Sequence, residues 1–338
     1  MRLSRWTVAL GGVAALCAVG LSRRKRRFDL ANKVVMVTGG SRGLGLVLAR
    51  ELARRGTRIV LIARDGAELG RARADLMARG ANDVLVMHGD VTDPGRMREV
   101  ADAVLDLFGG VDVLVNNAGD IEVGPFEAMR FSDFERAMAT HFWGPLHLGQ
   151  VLHGPMRAAG GGRIVNVASI GGIVAPPHLL PYVVSKFALT GLSLGLSAEL
   201  AKDGILVTTV CPGLMRTGSP DNALFKGNRA AEYGWFAVCD AIPLLSTNAE
   251  RAARRIVRAI ERGETVVTIT AAAKLARIAQ GIAPGLVVRA MRVVNRLLPR
   301  GGDPTLSRGY EARSPRLPRW LTALGDAAAK RNNEQPVR

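Results

Sequence analysis

Between residues 34 and 269, short apolar runs alternate with longer stretches in which apolar residues recur every three or four positions. The runs cover 34–38, 58–63, 83–88, 111–116, 163–168, 206–211 and 266–269. Strands so uniformly apolar are buried on both faces, and strands joined by helical crossovers run parallel. Helices are expected at 44–55, 66–79, 94–108, 132–152, 181–202 and 249–262. This rhythm predicts one α/β domain over 30–270, a doubly wound seven-stranded parallel sheet covered on both sides.

The first strand runs into Thr38-Gly39-Gly40-Ser41-Arg42-Gly43-Leu44-Gly45, and a helix follows at once. Glycines there permit a tight turn and let a pyrophosphate approach the backbone at a helix N-terminus. A glycine-rich loop alone is a weak signal; its place between strand and helix makes it a Rossmann-like dinucleotide loop. When NAD is bound, an acidic residue normally ends the second strand, but here Arg64 stands in that place, with Arg42 in the loop nearby. Guanidinium forks suit a 2′-phosphate, so NADP(H) is expected ahead of NAD(H), although Asp65 follows directly and also has access to the ribose.

The net charge of +17 suggests a nucleic-acid binder until it is mapped. Residues 1–30 carry net +6, residues 271–338 net +9, and the 240 residues between only +2. The domain is nearly neutral and has no basic stripe interleaved with aromatics, so no nucleic-acid partner is expected. Basic ends beside apolar segments fit an anionic membrane surface. The three cysteines, Cys17, Cys211 and Cys239, are widely spaced, which argues against a disulfide framework and a metal site and fits a reducing compartment.

The apolar run 6–21 followed by five consecutive basic residues predicts a membrane anchor within 1–29. At about 1.5 Å per residue it reaches roughly 24 Å, a short span that snorkelling arginines can extend. The larger basic cluster lies after the run, which places the catalytic domain on the cytoplasmic side. Residues 271–300 read as two basic amphipathic helices interrupted at Pro284-Gly285, suited equally to a membrane surface or to packing. The segment 301–338, rich in Gly, Pro and charge, reads as a loosely ordered tail.

Further motifs stand in order along the domain: Gly89-Asp90-Val91, Asn116-Asn117-Ala118-Gly119, Ser169, Tyr182-Val183-Val184-Ser185-Lys186 and Pro212-Gly213. With the glycine loop, this set resembles the short-chain dehydrogenase/reductase family in its single-domain form, over roughly 30–270. The resemblance implies hydride transfer between nicotinamide and a carbonyl or alcohol, with Ser169, Tyr182 and Lys186 catalytic. Tyr182 and Lys186, four apart, share a helical face, and a nearby ammonium should pull the phenol below its usual 10. By position the resemblance gives cofactor roles to Gly39, Ser41, Arg42, Gly43, Leu44, Gly45 and Arg64, then to Asp90, Val91, Asn117, Ala118 and Gly119. Tyr182, Lys186, Pro212, Gly213 and Thr217 complete that set. The chain departs from the family where an Asn in an Asn-x-x-Gly setting is usual: here stand His141-Phe142-Trp143-Gly144. A neutral imidazole also offers one donor and one acceptor, so His141 is expected to replace that Asn as fourth catalytic residue.

After Pro212-Gly213 the resemblance implies a variable lid over the substrate, and in this chain it carries large apolar residues at 214–215, 223–225 and 233–236. They suit a lipophilic substrate such as a steroid, retinoid or long acyl ketone, or they dock the lid on the core. His178 lines either the cleft or only its own loop. A homo-oligomer is expected from the family. The alternative to an enzyme is a catalytically idle dinucleotide-binding sensor or scaffold at the membrane.

Overall fold

The computed structural model describes residues 27–243, 245–315 and 317–334. The anchor expected at 6–21 lies outside the described residues. The described residues form twelve strands, five of them short: β1 (Val34–Thr38), β2 (Arg58–Ala63), β3 (Val84–His88), β4 (Val113–Asn116), β5 (Glu122–Val123), β6 (Gly162–Val167), β7 (Ile205–Pro212), β8 (Leu214–Arg216), β9 (Leu224–Phe225), β10 (Ser246–Asn248), β11 (Val266–Ile269) and β12 (Ser307–Arg308). The main sheet has the order β3-β2-β1-β4-β6-β7-β11, with every neighbouring pair parallel. β1, with sequence Val-Val-Met-Val-Thr, is buried at every position, as a central strand with helices on both faces must be.

The helices α1 (Gly43–Ala53), α2 (Gly66–Ala78) and α8 (Ala249–Arg262) bury Leu48, Leu76 and Ile256 on one face of the sheet. On the other, α3 (Pro94–Phe108) and α5 (Gly144–Ala158) bury Met97, Val104, Leu148 and Leu152. Local chemistry sets their ends. The Asp93 carboxylate accepts from Arg96 N–H at the start of α3, Pro94 opens the helix, and Gly109 closes it in the left-handed conformation at φ 76°. The chain winds outward from β1 to β3, then crosses back to β4. The carboxyl ends of β1 and β4 therefore flank the switch point, where such sheets bind ligands.

The helix expected at 132–152 is divided into α4 (Phe131–Met138), a wide π-type turn at Ala139–Trp143, and α5. Pro145 explains the break, since it has no N–H to return to the carbonyl of His141. α6 (Leu180–Glu199) follows, and with its trailing turn it is apolar and long enough to cross a membrane. It buries Val183, Ser185, Lys186, Leu189 and Ser193 along one face and is read as a core helix.

α7 (Arg229–Ala241) lies in the stretch expected to form the lid, and α9 (Ala271–Ile282) with α10 (Pro284–Leu297) makes a helical hairpin. The segment read as loosely ordered over 301–338 is instead built onto the domain as far as residue 334. It contains α11 (Gly309–Ala312) and α12 (Arg319–Arg331). Packing decides this against composition: Ala328 and Ala329 are fully buried, and a Cβ on Gly218 (φ 100°) would sit 2.3 Å from the Ala329 Cα. Arg313 also grips Asp326 through both carboxylate oxygens, at 3.0 and 2.7 Å.

Candidate active site

A cavity of about 1260 Å³ opens over the carboxyl ends of the central strands. Every residue given a cofactor role from the sequence lines it except Gly45, and so do Ser169 and His141. Gly45 lies beneath the loop, where a Cβ would come within 2.1 Å of the Gly39 carbonyl oxygen. The turn closes only around a residue without a side chain there. Asn117 ties this loop to the end of β4: its side-chain amide donates to the carbonyls of Thr38 (3.0 Å) and Gly39 (3.1 Å), so its side chain serves the turn itself.

At the adenine end, Arg64 reaches Asp120 at 3.3 Å and Asp90 at 3.7 Å. Asp65 is engaged otherwise: its carboxylate caps α2, accepting from Glu68 N–H at 2.8 Å. Arg42 pairs with Glu68 at 3.5 Å and with Glu334 at 3.0 Å. The glycine turn at the head of α1 and the two guanidiniums beside it fit a nicotinamide dinucleotide.

At the other end α6 presents Tyr182 and Lys186, and the Ser169 hydroxyl lies within hydrogen-bonding reach of the Tyr182 phenol. A Cβ on Gly171 would stand 3.2 Å from the tyrosine ring and 3.3 Å from Ser169 Oγ, so little else fits beside the pair. Lys186 Nζ is 5.6 Å from the Tyr182 ring centre and donates to the Val167 carbonyl at 2.8 Å. The expectation that this ammonium lowers the phenol does not hold in the structure. Burial disfavours the charged form of each group, pushing the Tyr182 phenol up against the opposing Ser169 hydrogen bond and Lys186 down to about 7.

His141 sits in the π-type turn, 1 % exposed, with its ring 5.5 Å from that of Tyr182 and edge-on to it. Its tautomer follows from its neighbours. Ser185 Oγ donates its one proton to the Tyr182 carbonyl (2.8 Å), so His141 Nδ1 must donate to Ser185 Oγ at 2.7 Å. Nε2 is left as a buried acceptor with no partner among the described residues. A Cβ placed on Gly119 would lie 2.7 Å from this nitrogen and 3.7 Å from Lys186 Nζ, so the two nitrogens converge on one point. Burial, then the nearby Lys186 charge, drives the imidazole well below its ordinary 6.5.

The lid residues divide between the two roles considered. Phe225 and Tyr233 are buried together and dock the lid, whereas Met215, Ala223, Trp235 and Phe236 line the cavity. His178 is turned from the cleft: at φ 62° its Nδ1 meets the buried Glu232 at 2.8 Å. No sequence motif marks Asp240, which lines the cavity and whose carboxyl is pushed by burial up to about 7. None marks Glu334, Val294 or Leu298 as cavity residues, although they reach it from the tail and the hairpin.

A doubly wound sheet with a glycine-rich turn at its switch point, and a Ser–Tyr–Lys group across the same cavity, defines a nicotinamide-dependent oxidoreductase. Comparison with known proteins gives the family. The short chain dehydrogenase model matches residues 33–224. A dehydrogenase/reductase SDR family protein 7-like from Anopheles gambiae is 32% identical over 266 residues, covering 78% of this chain and 82% of that one. A 3-alpha-(or 20-beta)-hydroxysteroid dehydrogenase of Mycobacterium bovis is 32% identical over 192 residues, 57% of this chain and 72% of that protein. The crystal structure of L-sorbose reductase from Gluconobacter frateurii, complexed with NADPH and L-sorbose, superposes with a TM-score of 0.65. It is 27% identical and covers 72% of this chain and 97% of its own. The chain belongs to the short-chain dehydrogenase/reductase family.

Proposed function

We propose that this oxidoreductase is NADP(H)-dependent and interconverts a carbonyl and an alcohol on a lipophilic substrate at a membrane surface. The observation that carries the reading is the single cavity shared by the glycine loop, Ser169–Tyr182–Lys186 and the apolar side chains of the lid. It exceeds the roughly 300–1,000 Å³ of ordinary ligand pockets, as a site for both dinucleotide and substrate should. The L-sorbose reductase was solved with NADPH, and Arg42 and Arg64 support the same cofactor here. The Mycobacterium bovis relative is named for steroid oxidation, which agrees with an apolar lid.

In this reading Ser169 and Tyr182 hold the substrate oxygen, and Tyr182 passes the proton to or from it. Nicotinamide, when bound, supplies or accepts the hydride. Lys186 holds the ribose hydroxyls and replenishes the tyrosine's proton. A water between Lys186 and His141 Nε2 carries that proton onward, which gives His141 the part usually taken by an asparagine. The hairpin α9–α10 supports the membrane assignment: Leu275, Ile282, Leu286 and Leu297 are each more than 60 % exposed, and its charged side chains are all basic. The outer face of α6, with Val184, Phe187 and Leu194 exposed, suits pairing of subunits.

The test is NADPH and NADH titration followed by a ketone screen read as NADPH absorbance loss, running from steroids and long acyl ketones to ketoses. Turnover confined to the lipophilic ketones is expected. NADPH binding without turnover of any carbonyl would favour a sensor or scaffold instead.

A further inference from the structure

The last described residues of the tail occupy the phosphate end of the cavity. Asn332 offers its carbonyl to Gly43 N–H at 2.9 Å, the N–H at the head of α1. Asn333 donates its side-chain amide to the Ser41 carbonyl at 2.9 Å and accepts from Arg71 at 2.8 Å. Glu334, 6 % exposed, pairs with Arg42 at 3.0 Å and accepts from the Asn222 side chain at 2.6 Å. Its Oε1 comes within 2.3 Å of where a Cβ on Gly43 would stand.

A helix N-terminal amide and a guanidinium are the two groups that ordinarily receive a phosphate. Here both are already satisfied by the chain's own carbonyl and carboxyl oxygens. We propose that residues 332–334 are an internal competitor for the dinucleotide, a latch that must leave the glycine loop before the cofactor's phosphates can settle there. The proposal rests on the dinucleotide reading of that loop.

The latch is suited to leave. A carboxylate buried beside Arg42 also faces Glu68 and Asp221, and burial pushes Glu334 up to about 7. A phosphate arriving at the same guanidinium adds like charge at short range. The tail is fixed farther back, where Ala329 packs on Gly218, so release needs only the residues beyond α12 to peel away. The same residues touch the lid, through Asn332 to the Thr217 carbonyl and Glu334 to Asn222, so release also frees the lid's first turn.

The experiment measures NADPH affinity by calorimetry for the full chain, for a chain ending at Arg331, and for Glu334→Gln. It also follows hydrogen exchange of the tail with and without NADPH. The truncated chain is expected to bind roughly tenfold more tightly, the factor for a site open about a tenth of the time, and Glu334→Gln to move the same way. Amides 332–334 should exchange faster once NADPH is bound. Equal or weaker binding by both variants overturns the latch alone, as does increased protection of the tail by NADPH. Absence of NADPH binding in all three chains overturns the dinucleotide reading, and the latch with it.

Discussion

His141 Nδ1 and Ser185 Oγ lie 2.7 Å apart, and because the serine proton is committed to the Tyr182 carbonyl, the imidazole is the donor. This fixes Nε2 as an acceptor facing Lys186 over Gly119. Replacement by alanine removes the acceptor, and turnover should fall roughly ten- to a hundredfold, at the low end of what a positioned proton-transfer group contributes. NADPH affinity should stay within about twofold, and His141→Asn should restore most of the rate. Because the imidazole's affinity for protons is depressed, it stays neutral above pH 6.5 and adds no inflection there. A rate unchanged by alanine across pH 6 to 9 would remove His141 from the mechanism.

Lys186 is held at a cost. Its folded pKa of about 7 lies below the ordinary 10.5. The unfolded chain therefore binds more protons between these values, and stability rises with pH across that window. The penalty is fully present below pH 7 and is lost as pH rises through 10.5. Lys186→Met should raise the melting temperature of the cofactor-free protein at pH 6, raise it less at pH 9, and abolish turnover. A melting temperature lowered at both pH values would contradict this account.

The proposed preference for NADPH is assigned to Arg64 as well as Arg42. Arg64→Ala should raise KM for NADPH roughly tenfold, the equivalent of one charge-assisted hydrogen bond, while leaving NADH nearly unaffected. Equal loss for both cofactors would show that this guanidinium reads no 2′-phosphate.

Steric room separates the glycines. A methyl at Gly45 meets the Gly39 carbonyl at 2.1 Å, whereas one at Gly66 meets nothing within 4 Å. Gly45→Ala should lose NADPH binding and several degrees of melting temperature; Gly66→Ala, at the first position of α2, should match or exceed the parent. Calorimetry and thermal melts of the two variants decide it.

A chain beginning at Arg27 tests the hairpin apart from the anchor expected at 6–21. It should sediment with vesicles containing phosphatidylserine and much less with neutral ones. Ile282→Glu with Leu286→Glu should abolish that binding without changing NADPH affinity. Sedimentation indifferent to lipid charge, or unaffected by the double substitution, would leave the hairpin with no membrane role.

The sheet was readable because its strands are buried on both faces: every position of β1 is apolar or threonine, and no alternation obscures it. Helix ends were readable where a cap is encoded, as at Asp93-Pro94 and Gly109. The π-type turn was hidden because Pro145 lies within an otherwise unbroken apolar period. The charge states of Tyr182 and Lys186 are not legible in the sequence, because spacing gives proximity but not burial, and burial governs both. Glu334 was invisible because its partners, Arg42 and Asn222, lie far away in sequence and meet it only through the packing of α12.

Beneath the active site, Asn116 on β4 donates to Asn166 on β6, at 2.8 Å. Asn166 and Thr209 on β7 both donate to Ser193 on α6, at 3.0 and 2.7 Å. The registers place Asn116 opposite Asn166 and Asn166 opposite Thr209. Exchange of any one member for an apolar residue strands a neighbour's polar atom in a dry interior. These four positions thus form one hydrogen-bonded unit, and a change at one is felt by the others. Ser193 is where the helix bearing Tyr182 meets both strands, so the seat of the phenol depends on side chains that never touch a substrate.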